Sequence, residues 1–292
     1  MKEYYDKGYK WFYCKDGDII YFKEVEAYTS DTYFKKGQEY LVSYKDPNAY
    51  NYIEGKLYAL TKTYFQAIQA KLALQLKFLG KAIHSQWQAR DTVEMVEVFN
   101  QFLTLNVPIQ KEIWAKEIDP NLPWAEDHFL ERVSGIPMNP APSYEWWPYY
   151  KDDEKWKIDG KFSHTYPERM NTPDIMGIRY HYGNLHDVIT MLQKNPNTRQ
   201  AYLPIWFPED TGAVHGESVP CSLGYQFYIR DGQLNCYYSM RSCDFRRHFK
   251  NDVYMAGRLM QFVANSVKVR PGQLHMHIMN LHVFKGEENV IL

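Results

Sequence analysis

The 292-residue sequence has little cysteine, almost no net charge and no long apolar run. Its four cysteines, Cys14, Cys221, Cys236 and Cys243, show no CxxC spacing and no paired framework. That argues against a disulfide scaffold or a zinc ribbon, and for thiols kept reduced. A formal net charge of −1 gives no broad electrostatic attraction to nucleic acid or to an anionic membrane. The opening MKEYYDKGYKWFY lacks the apolar segment of a secretory signal. No run approaches the roughly 20 apolar residues that span a bilayer, so the expected location is the cytoplasm. Repeats and low-complexity tracts are missing too.

Aromatics are abundant, with 25 Tyr and 8 Trp, as suits packed sheets and stacking surfaces. Residues 1 to about 56 are Tyr-rich and broken by KDGD (15–18), KKGQ (35–38) and KDPN (45–48), which predicts short strands. Leu57 to Ile83 is free of Pro and rich in helix formers, and reads as one long helix. DTVEMVEVFNQFLT (91–104) predicts a second, with Asp91 as N-cap and Glu94 three residues on. The Pro-rich stretch 118–148 reads as irregular, a border between an N-terminal extension (1–115) and a core (116–292). A helix fits 185–195, stopped by Pro196, and a strand fits 198–207. Asp231-Gly232 sits between YQFYIR and QLNCYYSMR, the strongest short signal for a two-residue hairpin turn. A helix from Asp252 to Val267, closed by RPG, and a last strand QLHMHIMNLHVF complete an α+β pattern.

Several residues bear chemistry. Cys221 follows Pro220 at the mouth of the hairpin, and Arg241 stands at the end of the returning strand. An unpaired cysteine is most simply a small packing residue. As a nucleophile it needs nearby positive charge, which the hairpin could supply through Arg241. His275 and His277 share a strand face, but no carboxylate or cysteine completes a ligand set, so no metal site is expected. KDDEK (151–155) reads as a solvated loop. On residue chemistry alone the reading stops at an α+β enzyme or binding domain with a possible thiolate.

The order of these motifs resembles the thymidylate synthase family over about residues 118–286. The carriers are Pro220-Cys221, Gln226, the Asp231-Gly232 turn and Arg241-Ser242-Cys243-Asp244. ERVSG (131–135), SYEWW around Glu145, FSHTYPER (162–169), NPNTRQ (195–200) and LHVF (281–284) follow the family's order. The resemblance implies a mixed β-sheet packed by helices, with an N-terminal extension of unknown role. It implies Cys221 as the nucleophile at C6 of a pyrimidine nucleoside monophosphate, with Glu145 and Tyr166 handling protons. Arg132, Arg199, Arg241 and Ser242 would hold phosphate, with Arg199 reaching into a second subunit and so implying a homodimer. Gln226, Asp252 and His282 would meet base and sugar, Asp244 would face folate, and methylenetetrahydrofolate would be the one-carbon donor.

Two features bear on substrate and product. Asp252 stands where the synthases carry an Asn, and Asn251-Asp252 resembles the pair in phage deoxycytidylate hydroxymethylases. A carboxylate can accept from cytosine's exocyclic amine, whereas an Asn suits the uracil edge. The blander reading has Asp252 capping the next helix. The chain ends at Leu292, soon after His282, leaving no room for the family's closing tail; a site open to water favours a 5-hydroxymethyl product. Gln200 replaces the second arginine of the usual pair, and Phe284 replaces a tyrosine. The expectation is therefore 5-hydroxymethylation of dCMP, with a phage origin and a role in DNA modification. The rivals are thymidylate synthesis or hydroxymethylation on dUMP, and a catalytically silent nucleotide-binding or assembly protein.

Overall fold

The computed structural model describes residues 2–6, 9–14, 19–24, 39–43, 63–87, 91–171, 183–215 and 218–287. The turn signals at 15–18, 35–38 and 45–48, the start of the expected helix at 57–62, and the final residues 288–292 lie outside them. The chain divides into two compact units, Met1–Leu79 with Asn289–Leu292, and Gly80–Glu288. In the first, β1 (Lys2–Asp6), β2 (Tyr9–Cys14), β3 (Ile19–Glu24) and β4 (Glu39–Ser43) pair in order as an antiparallel sheet, as the strand reading anticipated. Helix α1 spans Tyr64–Leu79. Thr63 caps it by accepting the Gln66 amide at 3.1 Å, and Gly80 follows its last residue.

The second unit is built on a sheet ordered β5-β6-β11-β9-β8-β7, with β10 beside β11. Its strands are β5 (Lys81–Trp87), β6 (Asp91–Asn106), β7 (Tyr202–Pro204), β8 (Ser222–Arg230), β9 (Gln233–Met240), β10 (Cys243–Asp244) and β11 (Arg270–Phe284). Two sequence expectations fail here. Residues 81–83 are strand rather than the end of a helix, and 91–104 is a strand rather than a helix. β6 pairs with β11 from Met95↔Phe284 to Asn106↔Gln273. That long-range ladder, with three Val, two Thr and two Phe, outweighs the local capping signal of Asp91 and Glu94. Leu103 and Leu105 point inward while Phe102 and Thr104 face solvent, the two-residue period of a half-buried strand. The core sheet thus includes residues ahead of the expected border at 115 and 116.

The Asp231-Gly232 hairpin forms as read, with φ of 51° and 70° at its two turn residues. Both angles are positive, which Asp tolerates and Gly adopts freely. RPG does not close a helix but opens β11, with a break in register between Pro271 and Leu274. Of the expected strand at 198–207, only Tyr202–Pro204 is a strand.

Helices α2 (Lys111–Ile118), α3 (Trp124–Arg132), α4 (Tyr166–Asn171), α5 (Leu185–Lys194) and α6 (Phe249–Ser266) accompany the sheet. α3 lies inside the stretch read as irregular, and residues 150–156 form short helical turns rather than a loop. α5 matches its reading and carries a capping box between Asn184 and Asp187. α6 packs on β9 and β11 with one side and on α2 and α3 with the other, so it is buried nearly all round. Val253, Ala256, Met260 and Val263 are fully buried. Each of the larger side chains contributes about 1.5–3 kcal/mol. Glu126 of α3 accepts from the Tyr254 hydroxyl and from both Arg258 Nε and Nη2 at 2.8–2.9 Å, bolting α3 to α6. Among the described residues no helix is long and apolar enough to cross a membrane.

Candidate active site

Cys221 precedes β8, where the register with β9 breaks between Ser222 and Gly224. Such a break re-aims the neighbouring side chains. Arg241, at the end of β9, is brought back to it as the hairpin predicts. Its amide donates to the Cys221 carbonyl at 2.9 Å, its Nε to the Pro220 carbonyl at 2.8 Å and its Nη2 to the Val219 carbonyl at 3.1 Å. Burial pushes the thiol pKa up; Arg241 opposes this, while the Asp252 and Asp244 charges add to it. The expected depressed thiol is therefore not seen in the free protein, because desolvation outweighs one cation.

Tyr166, at the start of α4, shares a hydrogen bond of 3.1 Å with the Ser222 hydroxyl, which meets Tyr238 at 2.5 Å. Burial and the charges of Cys221 and Asp252 hold the phenol well above its ordinary pKa, with Arg132 working the other way. The Arg132 guanidinium lies 4.1 Å from the centre of the Tyr166 ring and is only 4% exposed. Its Nε is buried without a hydrogen-bond partner. Asp252 does not cap α6: the N-cap is His248, and Asp252 lies in the first turn with its amide on the His248 carbonyl. Burial raises its pKa, against the pull of His248 and Arg132. The Cys243 thiol is 3.8 Å from its Oδ2.

Asp244 and His282 are paired in register across β10 and β11, and the His282 Nδ1 is 3.3 Å from the Ser242 hydroxyl. Asp244 Oδ1 accepts from the amides of Arg246 and Arg247, and Oδ2 lies 3.7 Å from Arg247 Nε. Its carboxylate braces the turn that leads into α6. Cys221, Arg241, Tyr166, Arg132, Asp252, Asp244, Ser242 and His282 thus form one neighbourhood, each close enough to shift or bond another.

A sequence profile described as "Thymidylate synthase" matches residues 78–290. The chain belongs to the thymidylate synthase family. It is similar to a "Putative thymidylate synthase" of Methanosarcina barkeri, 28% identical over 133 residues, covering 44% of this chain and 57% of that protein. A protein of the same name from Methanosarcina acetivorans is 29% identical over 132 residues, with the same coverage. A "Thymidylate synthase" of Listeria monocytogenes serotype 4a is 30% identical over 111 residues, covering 36% and 35%. The chain therefore spans about half, or less, of the length of these relatives.

Not all residues expected from the family resemblance join this neighbourhood. Glu145 lies exposed on the turn Pro142–Trp146. Arg199 is exposed ahead of β7. Gln226 Nε2 is occupied by the Ala201 and Phe227 carbonyls at 3.1 and 3.2 Å. Conversely, the sequence reading missed His128, Glu131, Ser143, Trp147 and His248. Ser143 Oγ donates to Glu131 Oε2 at 2.5 Å, and its amide donates to Oε1 at 2.6 Å. His128 Nδ1 is 3.1 Å from the same Oε2. Trp124 stacks on His128, and Trp147 packs between Trp124 and His248. The available signal was the i, i+4 spacing of His128 and Arg132, which puts both on one helix face.

Proposed function

We propose that this protein transfers a one-carbon unit to C5 of a pyrimidine nucleoside monophosphate, through a covalent Cys221 adduct at C6. Family membership and the Cys221–Arg241 arrangement support this reading. The raised thiol pKa is compatible with it, since the buried thiol gives up its proton only when the site is engaged. Arg241 then stabilises the anion it already touches through the backbone. Arg132, Arg241, Ser242 and a second subunit's Arg199 are assigned to phosphate, His282 to the sugar, and Tyr166 to the base beside Cys221. Glu145 and Gln226 keep their family-derived assignments only if the site closes around the substrate.

The family's one-carbon donor is methylenetetrahydrofolate, which supplies the carbon when bound. Exposed Trp146, on the turn Pro142–Trp146, offers a flat aromatic face of the kind a pterin stacks on. Asp244 serves that side by holding the turn rather than by an open carboxylate.

The observation that carries the finer reading is Asp252, buried in the first turn of α6 beside Cys221 and raised in pKa. A carboxyl that can hold a proton serves both cytosine positions, accepting from the amine and donating to N3. We therefore favour dCMP as substrate and 5-hydroxymethyl-dCMP as product, as the Asn251-Asp252 resemblance implies. The names of the relatives favour a second reading, thymidylate synthesis from dUMP. A homodimer is supported by the exposed face of the sheet, where Phe102, Tyr237 and Met279 are 39–71% accessible. Tritium release from C5-labelled dCMP and dUMP with methylenetetrahydrofolate, with the product's mass recorded, tests the reading. Release from dCMP with a hydroxymethyl product is expected, and release from dUMP alone would overturn the base assignment.

A further inference from the structure

We infer that His128, fixed by Glu131 and Ser143, is the general base that takes the C5 proton of the pyrimidine; the inference rests on the proposed one-carbon transfer. Three observations carry it. First, the Glu131 carboxylate is ringed by donors: the Ser143 hydroxyl, the Ser143 amide and His128 Nδ1. A carboxylate only accepts, so the neutral imidazole places its proton on Nδ1 and leaves a lone pair on Nε2. Second, Nε2 has no hydrogen-bond partner among the described residues, yet it is not among the buried atoms left unpaired. The side chain is 15% accessible, so this nitrogen is neither hydrogen-bonded nor fully enclosed. Third, His128 stands one helical turn before Arg132 on α3, and Arg132 covers the Tyr166 ring at 4.1 Å. Residues at that spacing share a helix face, so the face that reaches Tyr166 carries His128 as well.

The other proton handlers are less suited. Tyr166 is a buried phenol already bonded to Ser222, and its raised pKa keeps it protonated. Glu145 is exposed. The charged groups facing His128 are Glu131 and Arg132 on its own helix and His248 from α6, with Trp124 as the apolar wall stacked on its ring. Burial and then Arg132 push its pKa down to about 4, so it is neutral at pH 7, and Glu131 works against that shift.

The step balances simply. Once C5 carries the one-carbon unit, its C–H bond breaks and the electron pair passes into the ring toward C4. The proton forms a bond with Nε2, and the resulting imidazolium is offset by Glu131. This is the orientation and charge support that a carboxylate gives a catalytic histidine. Glu131 acts through His128 and is a positioning residue.

The test compares wild type with His128→Gln and Glu131→Gln in two assays. One is tritium release from the C5-labelled nucleotide. The other is covalent capture of Cys221 by the 5-fluoro nucleotide with methylenetetrahydrofolate, which has no C5 proton to lose. For H128Q, release is expected to fall about 10²–10⁴-fold, the span of a lost general base, with capture kept within a few-fold. E131Q is expected to lower release at least about 10-fold and to shift the acid limb of its pH profile downward, since Glu131 raises the His128 pKa. Unchanged release in H128Q overturns the inference. So does loss of capture together with release, which marks a structural role. Failure of wild type in both assays would instead overturn the one-carbon transfer itself.

Discussion

Replacing Asp252 with Asn keeps the shape of the side chain and exchanges a titratable carboxyl for one fixed donor and one fixed acceptor. Asp252 is 8% exposed, so a mismatched partner there cannot turn to water. A buried donor or acceptor left unpaired costs about 1–3 kcal/mol, or about 5- to 150-fold in relative rate. D252N is therefore expected to lower kcat/KM for dCMP, and to raise the dUMP-to-dCMP ratio, by about 5- to 150-fold. Competition between the two C5-tritiated nucleotides reads the ratio directly. Stability supplies an internal control whose sign is fixed. Burial raises the folded pKa of this acid, so the folded protein holds its proton to higher pH than the unfolded chain. That group costs stability as pH rises above the ordinary carboxylate range, and D252N removes the cost. The variant is expected to melt no lower than wild type at pH 7, with any gain closing toward pH 3. An unchanged dUMP-to-dCMP ratio in a stably folded D252N would refute the idea that Asp252 reads the base.

Three further outcomes follow from the geometry. Alkylation of Cys221, tracked by peptide mass, is expected to rise with pH past the ordinary thiol range; R241M should move its midpoint higher, and a downward move would sink the role given to Arg241. Asp210 holds Arg169 in a two-pronged pair of 2.7 and 2.8 Å, with the two side chains 6% and 2% exposed. D210A is expected to cost about 3–5 kcal/mol by stranding the arginine, seen as a large drop in melting temperature; a drop of only a degree or two would contradict it. A Cβ at Gly257 would collide with the buried Trp114 indole, so G257A should cost about 1–3 kcal/mol in denaturant unfolding.

What was readable in the sequence was what local chemistry decides. Asp231-Gly232 specified its turn because few other residue pairs accept two positive φ angles in succession. Pro196 marked the end of α5, whose last helical residue is Lys194, because a proline cannot continue the hydrogen-bond ladder. The reading of 91–104 failed because the competitor was β11, nearly two hundred residues away, and only its ladder turns a run with helix-like caps into a strand. In the site, Cys221 and Arg241 were legible through spacing around one hairpin, whereas Tyr166 and Asp252 were legible only through the family resemblance. His128, Glu131 and Ser143 were not, since their hydrogen bonds join a helix to a turn that the sequence showed only as Pro-rich.

The position of β11 has a consequence for how the protein becomes active. The strand is inserted between β6, which precedes helices α2 to α6, and β9, and it also carries His282 beside β10. Thr104 and His275 meet across a separation of 171 residues, a contact that must wait for most of the chain. Pairings of that span close slowly. The β8–β9 hairpin can form early and bring Arg241 to Cys221. The wall that carries His282 arrives only when β11 slots between its neighbours. Recovery of turnover after dilution from denaturant should accordingly lag behind formation of the hairpin.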